Sequence, residues 1–160
     1  MNDNLNIKFM KKTLYLLLTL GSIFAIGQAS AQFRSIPGIV TDSFKVRYPA
    51  AKSVRWADKV TDFRATFFVD TSRYIARYSS DGGWLGATKR IGKDAIPPVV
   101  KDGLSKSKYA GAEWEIRVVT MMYLPGNVVQ YNIQVAKSDL VKKNLLFSSE
   151  GQLLKDNNTL

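Results

Sequence analysis

The chain contains no histidine and no cysteine in 160 residues. Without cysteine there is no thiol nucleophile, disulfide, thiolate zinc site or protein-held iron–sulfur cluster. Without histidine there is no Ser-His-Asp triad, no imidazole metal ligand and no side chain that ordinarily titrates near neutrality. Acidic residues are few as well: 13 Asp and Glu stand against 23 Lys and Arg. Catalysis would have to rest on carboxylates, Lys, Tyr, Ser or Thr. Long apolar runs are also scarce, and the one present stands near the start.

That run, Leu14 to Ile26, follows the cationic Lys8, Lys11 and Lys12 and precedes Ala29-Ser30-Ala31. A positive region, a short apolar core and small residues at −3 and −1 make residues 1–31 a cleaved secretory signal, with cleavage before Gln32. The run falls short of the roughly 20 residues that span a bilayer. No Cys follows it, so lipid attachment as a bacterial lipoprotein is excluded. Met10-Lys11-Lys12 offers a second start codon beside Met1. Removing Lys8, Lys11, Lys12 and Asp3 from the 23 basic and 13 acidic residues leaves 20 and 12, a mature net charge of +8. A mature chain of this length buries roughly two-thirds of its unfolded surface, enough for one core without disulfides. No further segment is long and apolar enough to cross a membrane.

The mature sequence reads as a duplication. Ile36-Pro37-Gly38-Ile39-Val40-Thr41-Asp42-Ser43-Phe44 aligns with Ile96-Pro97-Pro98-Val99-Val100-Lys101-Asp102-Gly103-Leu104. Further on, Tyr78-Ser79-Ser80-Asp81-Gly82-Gly83-Trp84-Leu85 aligns with Phe147-Ser148-Ser149-Glu150-Gly151-Gln152-Leu153-Leu154. Two matches in the same order set the unit of the fold. Each unit predicts one helix followed by about four strands. Pro37 suits a helix start, Val40, Phe44 and Tyr48 share a face, and Pro49 ends the segment. Strand alternation follows, with Phe63, Ala65, Phe67 and Val69 on one side and Arg64, Thr66 and Phe68 on the other. Asp81-Gly82 and Glu150-Gly151 make tight turns. A sheet with one apolar face and helices with one apolar stripe bury each other in two layers. Trp56, Phe63, Phe67, Tyr78, Tyr131, Ile133 and Phe147 are expected to form a shared core.

The segment Phe44-Lys45-Val46-Arg47-Tyr48-Pro49-Ala50-Ala51 followed by Val54-Arg55-Trp56, behind a signal peptide, resembles the exported PepSY-like proteins. Those proteins are themselves similar to the β-lactamase inhibitor protein. Ala76 to Trp84, ending in Asp-Gly-x-Trp, and Leu145 to Leu153, with Glu-Gly-x-Leu, fit the same pattern. The resemblance spans the mature chain and implies an α+β, two-layer fold: a tandem repeat of helix plus four-stranded antiparallel sheet units. The expected domains are the signal at 1–31, a first repeat at 32–95 and a second at 96–160, both in one compact domain. The matching residues are turn and core positions, so no inhibitory contact carries over, and fold alone does not give function.

Candidate chemistry is sparse. The mature carboxylates fall mostly in turns, at strand ends or on exposed faces, with no opposed acid–base pair. No calcium loop, P-loop or G-x-G-x-x-G occurs, so neither a metal nor any other cofactor is expected. Ser79-Ser80 and Ser148-Ser149 repeat at equivalent turns, which gives them a conformational role. Arg64, Arg77 and Phe68 offer a basic-aromatic stripe on the outer sheet face. One feature breaks the repeat. Trp56 and Phe63 are seven residues apart, but Ile116 and Tyr131 are fifteen apart. The extra length carries Met121, Met122, Tyr123 and Leu124 before Pro125-Gly126-Asn127. Two readings are open: an arm that folds over the sheet edge, or a protruding contact arm of adaptable residues. On the second, Met122, Tyr123 and Leu124 would be largely solvent-exposed, and Tyr123→Ala would spare stability.

These residues predict an exported, non-enzymatic binding module that recognises another protein in the cell envelope, inhibitor-like in kind. The alternative is an envelope protein that holds an anionic lipid or glycan on its basic sheet face. Export removes nucleic acid from consideration. The periplasm or the extracellular space is the expected location.

Overall fold

The structure, a computed structural model, describes residues 35–158, so the signal segment lies outside the described residues. Helix α1 (Gly38–Arg47) is followed by strands β1 (Lys52–Asp58), β2 (Phe63–Val69), β3 (Ser72–Tyr78) and β4 (Trp84–Ile91). A 3₁₀ turn at Lys93–Ala95 leads to helix α2 (Pro98–Ser105). Then come β5 (Glu115–Leu124), a tight turn at Pro125–Asn127, β6 (Val128–Ala136), β7 (Lys142–Ser148) and β8 (Leu153–Asn158). All eight strands form one antiparallel sheet in sequence order, β1 to β8.

Proline starts both helices. Pro37 and Pro97 hold extended ψ angles, and their carbonyls accept the first helical N–H bonds, from Val40 and Thr41 and from Val100 and Lys101. The fixed φ of proline preorganises this entry and the missing N–H is no loss there. α1 stops at Tyr48-Pro49, where Pro disfavours helical backbone in the residue before it.

Both helices lie on one face of the sheet. Under α1, Val40 and Phe44 pack with Phe63, Ala65, Phe67, Ala76, Tyr78 and Ala87. Under α2, Val100 and Ile96 pack with Val119, Tyr131, Ile133, Val135, Leu145 and Phe147. The expected core residues are buried except Trp56, which is only partly covered. The single shared core is thereby corrected to two clusters, one beneath each helix. Trp56 sits on the edge strand β1, which has a neighbour on one side only, and its ring meets Phe44 of α1 at 5.3 Å.

The turns before β4 and β8 touch the helices at backbone distance. Gly82 (φ +86°) leaves no room for a Cβ, which would lie 3.0 Å from the Ile39 carbonyl oxygen. Gly151 (φ +83°) lies under α2 in the same way, where a Cβ would stand 2.2 Å from the Val99 carbonyl oxygen. Glycine is required by conformation and by space at both sites.

The Met121–Leu124 segment does not protrude, which corrects the contact-arm expectation. It is the end of β5, paired on one side with β4 (Lys89–Met121, Thr88–Met122, Ala87–Tyr123) and on the other with β6. Met121, Met122, Tyr123 and Leu124 are all half-buried. The added length carries the second half of the sheet onto β4. Neighbouring strands cover both backbone edges of this segment, and the core clusters cover Met121 and Tyr123 on its helix side.

Candidate functional site

Strand alternation divides the candidate residues between the two faces. On β5, Met121 and Tyr123 point to the helix side, with Met121 against the α2 cluster and Tyr123 against the α1 cluster. Met122 points the other way, and Leu124 follows it two residues on. Arg64, Phe68 and Arg77 share the helix-free face with them, because they alternate with buried Phe63, Ala65, Phe67, Ala76 and Tyr78.

The helix-free face can be followed strand by strand in cross-strand register. One row runs Thr66–Ile75–Thr88–Met122–Gln130–Ser148. A second runs Arg90–Thr120–Asn132–Leu146–Lys155. A third runs Val118–Gln134–Asn144–Asn157. These rows contain no carboxylate. Ile75, Met122 and Leu146 are half-buried apolar side chains among amides and hydroxyls, with exposed Arg73, Arg90 and Lys155 at the margins. The Asn132 side-chain oxygen is buried without a hydrogen-bond partner.

Arg64 and Arg77 are directly opposite one another on β2 and β3. Like charges at that spacing repel, and Asp62 offsets the repulsion. Arg64 Nε donates to Asp62 Oδ1 at 2.7 Å, and Arg77 Nε donates to Oδ2 at 2.9 Å. The Asp62 side chain is wholly buried while both guanidinium groups remain partly in water. The Arg64 hydrogen bond, ahead of the opposing cost of burial, holds the Asp62 carboxyl below the ordinary carboxylate range. The two arginines thus carry one net charge between them. The sequence reading placed them on the correct face but missed their common acid; Asp62 stands two residues from Arg64, while Arg77 joins only through the strand register.

On the helix side, a groove of about 750 Å³ lies between the end of α1 and the turn from β5 to β6. Its walls come from the end of α1 (Arg47, Tyr48), from Val69, Tyr74 and Trp84, and from the chain between Tyr123 and Val129. Trp84 Nε1 donates to Tyr48 Oη at 3.2 Å, and the Arg47 guanidinium carbon lies 4.0 Å above the Trp84 ring. The rings of Tyr74 and Tyr123 stand 6.3 Å apart. Burial pushes the Tyr48 and Tyr123 phenols up, and Tyr123 Oη donates to Met121 Sδ at 3.3 Å. Sequence reasoning missed this groove because its residues come from one helix, five strands and a turn, spread from Arg47 to Val129.

The turn residues keep their conformational role. Asp81 accepts from the Ser79 hydroxyl and from the Gly83 N–H at 3.3 Å, and Glu150 accepts from Ser149 Oγ at 2.6 Å. Among the described residues no group of three or more Asp and Glu side chains is placed to hold a metal ion, and no helix is long and apolar enough to cross a membrane.

No protein-family model matches the chain, and no curated protein matches it significantly in sequence. Solved structures do match. A DUF2874 family protein from Bacteroides ovatus superposes with a TM-score of 0.71 at 27% identity, covering 76% of this chain and 86% of its own. A BLIP-like protein from Bacteroides fragilis superposes with a TM-score of 0.73 at 21% identity, covering 81% of this chain and 90% of its own. A third, from Bacteroides eggerthii, is provisionally described as periplasmic and gives a TM-score of 0.68 at 22% identity over 76% and 88%. The chain therefore has a BLIP-like fold: an eight-stranded antiparallel sheet carrying two helices. The expected periplasmic or secreted location agrees with the description of the Bacteroides eggerthii protein.

Proposed function

We propose that this protein is an exported, non-enzymatic binding module that recognises another protein through the helix-free face of its sheet. The observation that carries the reading is that face itself. Ile75, Met122 and Leu146 are apolar side chains spaced across β3, β5 and β7 among Thr88, Gln130 and Asn132, with Arg73, Arg90 and Lys155 at the margins. Half-buried apolar anchors among uncharged polar groups, with charge kept to the margins, suit a protein interface. The BLIP-like fold of the Bacteroides fragilis neighbour supports the same class of function. We further assign residues 1–31 to a cleaved signal and read 32–95 and 96–160 as two PepSY-like copies of one helix-plus-four-strand unit. The equivalent placement of Gly82 under α1 and Gly151 under α2 supports that duplication.

The anionic lipid or glycan reading loses ground to the Asp62 clamp, which offsets one of the two positive charges that Arg64 and Arg77 would bring. Salt separates the readings, because exposed charge contacts are screened within a Debye length of about 8 Å at physiological ionic strength. The test is capture from native envelope by the immobilised mature chain, at about 0.1 and about 0.5 M salt. Protein should be retained at both, and Met122→Lys should abolish retention while Val60→Lys, on an exposed turn, should not. Retention of anionic vesicles that vanishes at high salt, with no protein captured, would establish the alternative instead.

A further inference from the structure

We infer that the groove beside the end of α1 is a second binding site, for an extended peptide segment that sets a carboxylate on Arg47 and an apolar side chain against Tyr74 and Tyr123. It lies on the opposite face of the sheet from the protein-binding surface and stands or falls separately from it.

Size comes first. A groove of about 750 Å³ is in the range of sites for small molecules and short chain segments, and too small to receive the face of a folded domain. Charge comes next. None of the lining residues is Asp or Glu, and Arg47 has no carboxylate partner among the described residues. Its guanidinium is exposed and held over the Trp84 ring, so its orientation is set before any ligand arrives. Lys89 adds a second cation beside the groove, 3.4 Å from Tyr74 Oη. An anion is the complementary group.

Hydrogen-bonding capacity decides what carries that anion. Tyr48 Oη accepts from Trp84, which leaves its phenolic proton free to be donated. Asn127 adds an amide at the far end. An alkyl chain, as in a fatty acid, would cover these donors and leave them unpaired, at a desolvation cost for each. A peptide backbone presents carbonyl acceptors at regular spacing and meets them. The aromatic walls then take an apolar side chain, since Tyr and Trp offer large rigid surfaces with a polar tip.

The test is an NMR titration of the purified exported chain with acetyl-Phe-Glu-amide, with acetyl-Phe-Gln-amide and decanoate as comparison probes. The indole N–H of Trp84 and the amides of Gly126 and Asn127 should shift, while the indoles of Trp56 and Trp114 stay in place. The Gln probe should bind about three- to tenfold more weakly than the Glu probe, the worth of one solvent-facing charged hydrogen bond. Arg47→Gln, an exposed change that leaves the core intact, should erase that difference. Equal affinity for the two peptides would overturn the carboxylate assignment, and decanoate binding in place of both would overturn the peptide. Shifts confined to Met122, Leu146 and their neighbours, or no shift at all, would remove the site. Partner capture by the Met122→Lys variant is read independently, so each proposal can fail alone.

Discussion

Asp62 is the most consequential single charge on the sheet. It is buried, and two guanidinium groups on neighbouring strands converge on it. Asp62→Asn keeps the shape but leaves Arg64 and Arg77 facing each other with no anion between them. We expect a loss of about 1–3 kcal/mol, the usual cost of a broken charged hydrogen-bond network, measured by urea denaturation at pH 7. Because the folded pKa lies below the unfolded one, the contribution is whole above the ordinary carboxylate value near 4 and is withdrawn as pH falls through the lowered folded pKa. Wild-type stability should therefore drop along that acid limb more steeply than that of the Asn variant. A flat difference between the two across pH 2–7 would show that the carboxylate charge has no part in it. The neighbouring Phe67, fully buried in the α1 cluster, belongs to the simpler packing regime, and Phe67→Ala should cost about 3–5 kcal/mol.

At the level of elements, the turn glycines separate two physical costs that usually come together. Gly126 has φ +76° and open space around it, while Gly151 has φ +83° and the Val99 carbonyl where a Cβ would go. Gly126→Ala should cost about 1–2 kcal/mol, the conformational penalty alone. Gly151→Ala should cost clearly more, about 2–4 kcal/mol, since α2 must also be pushed off the turn. Thermal unfolding of both variants checks the ordering. The helix starts and the inner face of β2 were legible in the sequence because Pro37, Pro97 and the alternation from Phe63 to Val69 act locally. The end of β5 was not, since Met121 to Leu124 is apolar on both sides, and composition cannot distinguish a strand wedged between β4 and β6 from an arm that reaches outward. The groove was illegible for a related reason: Arg47, Tyr74 and Tyr123 meet only once β4 and β5 are in register. Tyr123→Ala should now destabilise the fold by about 1–3 kcal/mol, as a half-buried aromatic does, where the contact-arm reading required no change.

For the whole molecule, the question is how two core clusters, each under its own helix, behave as one folding unit. The halves are joined by the β4–β5 ladder and by Met121 and Tyr123, which lie two residues apart on the same strand yet pack into different clusters. At the head of that ladder Gly86 has φ +137°, and a Cβ there would stand 2.8 Å from the Tyr123 carbonyl oxygen. A side chain at this position must push β5 away from β4, so it acts on the joint while leaving each cluster's own contacts in place. Cooperativity in a single domain depends on such shared contacts, and contiguous units that lose them open separately. Wild type should therefore unfold in one transition with protection from hydrogen exchange equal in β2–β3 and β6–β7. Gly86→Val should lower stability by about 2–4 kcal/mol and split the two sets of protection factors, with a reduced denaturant slope for the first transition. Uniform loss of protection across both halves would mean that the clusters are coupled through more than this ladder, and that α1, α2 and the sheet respond as one rigid body even when the joint is strained.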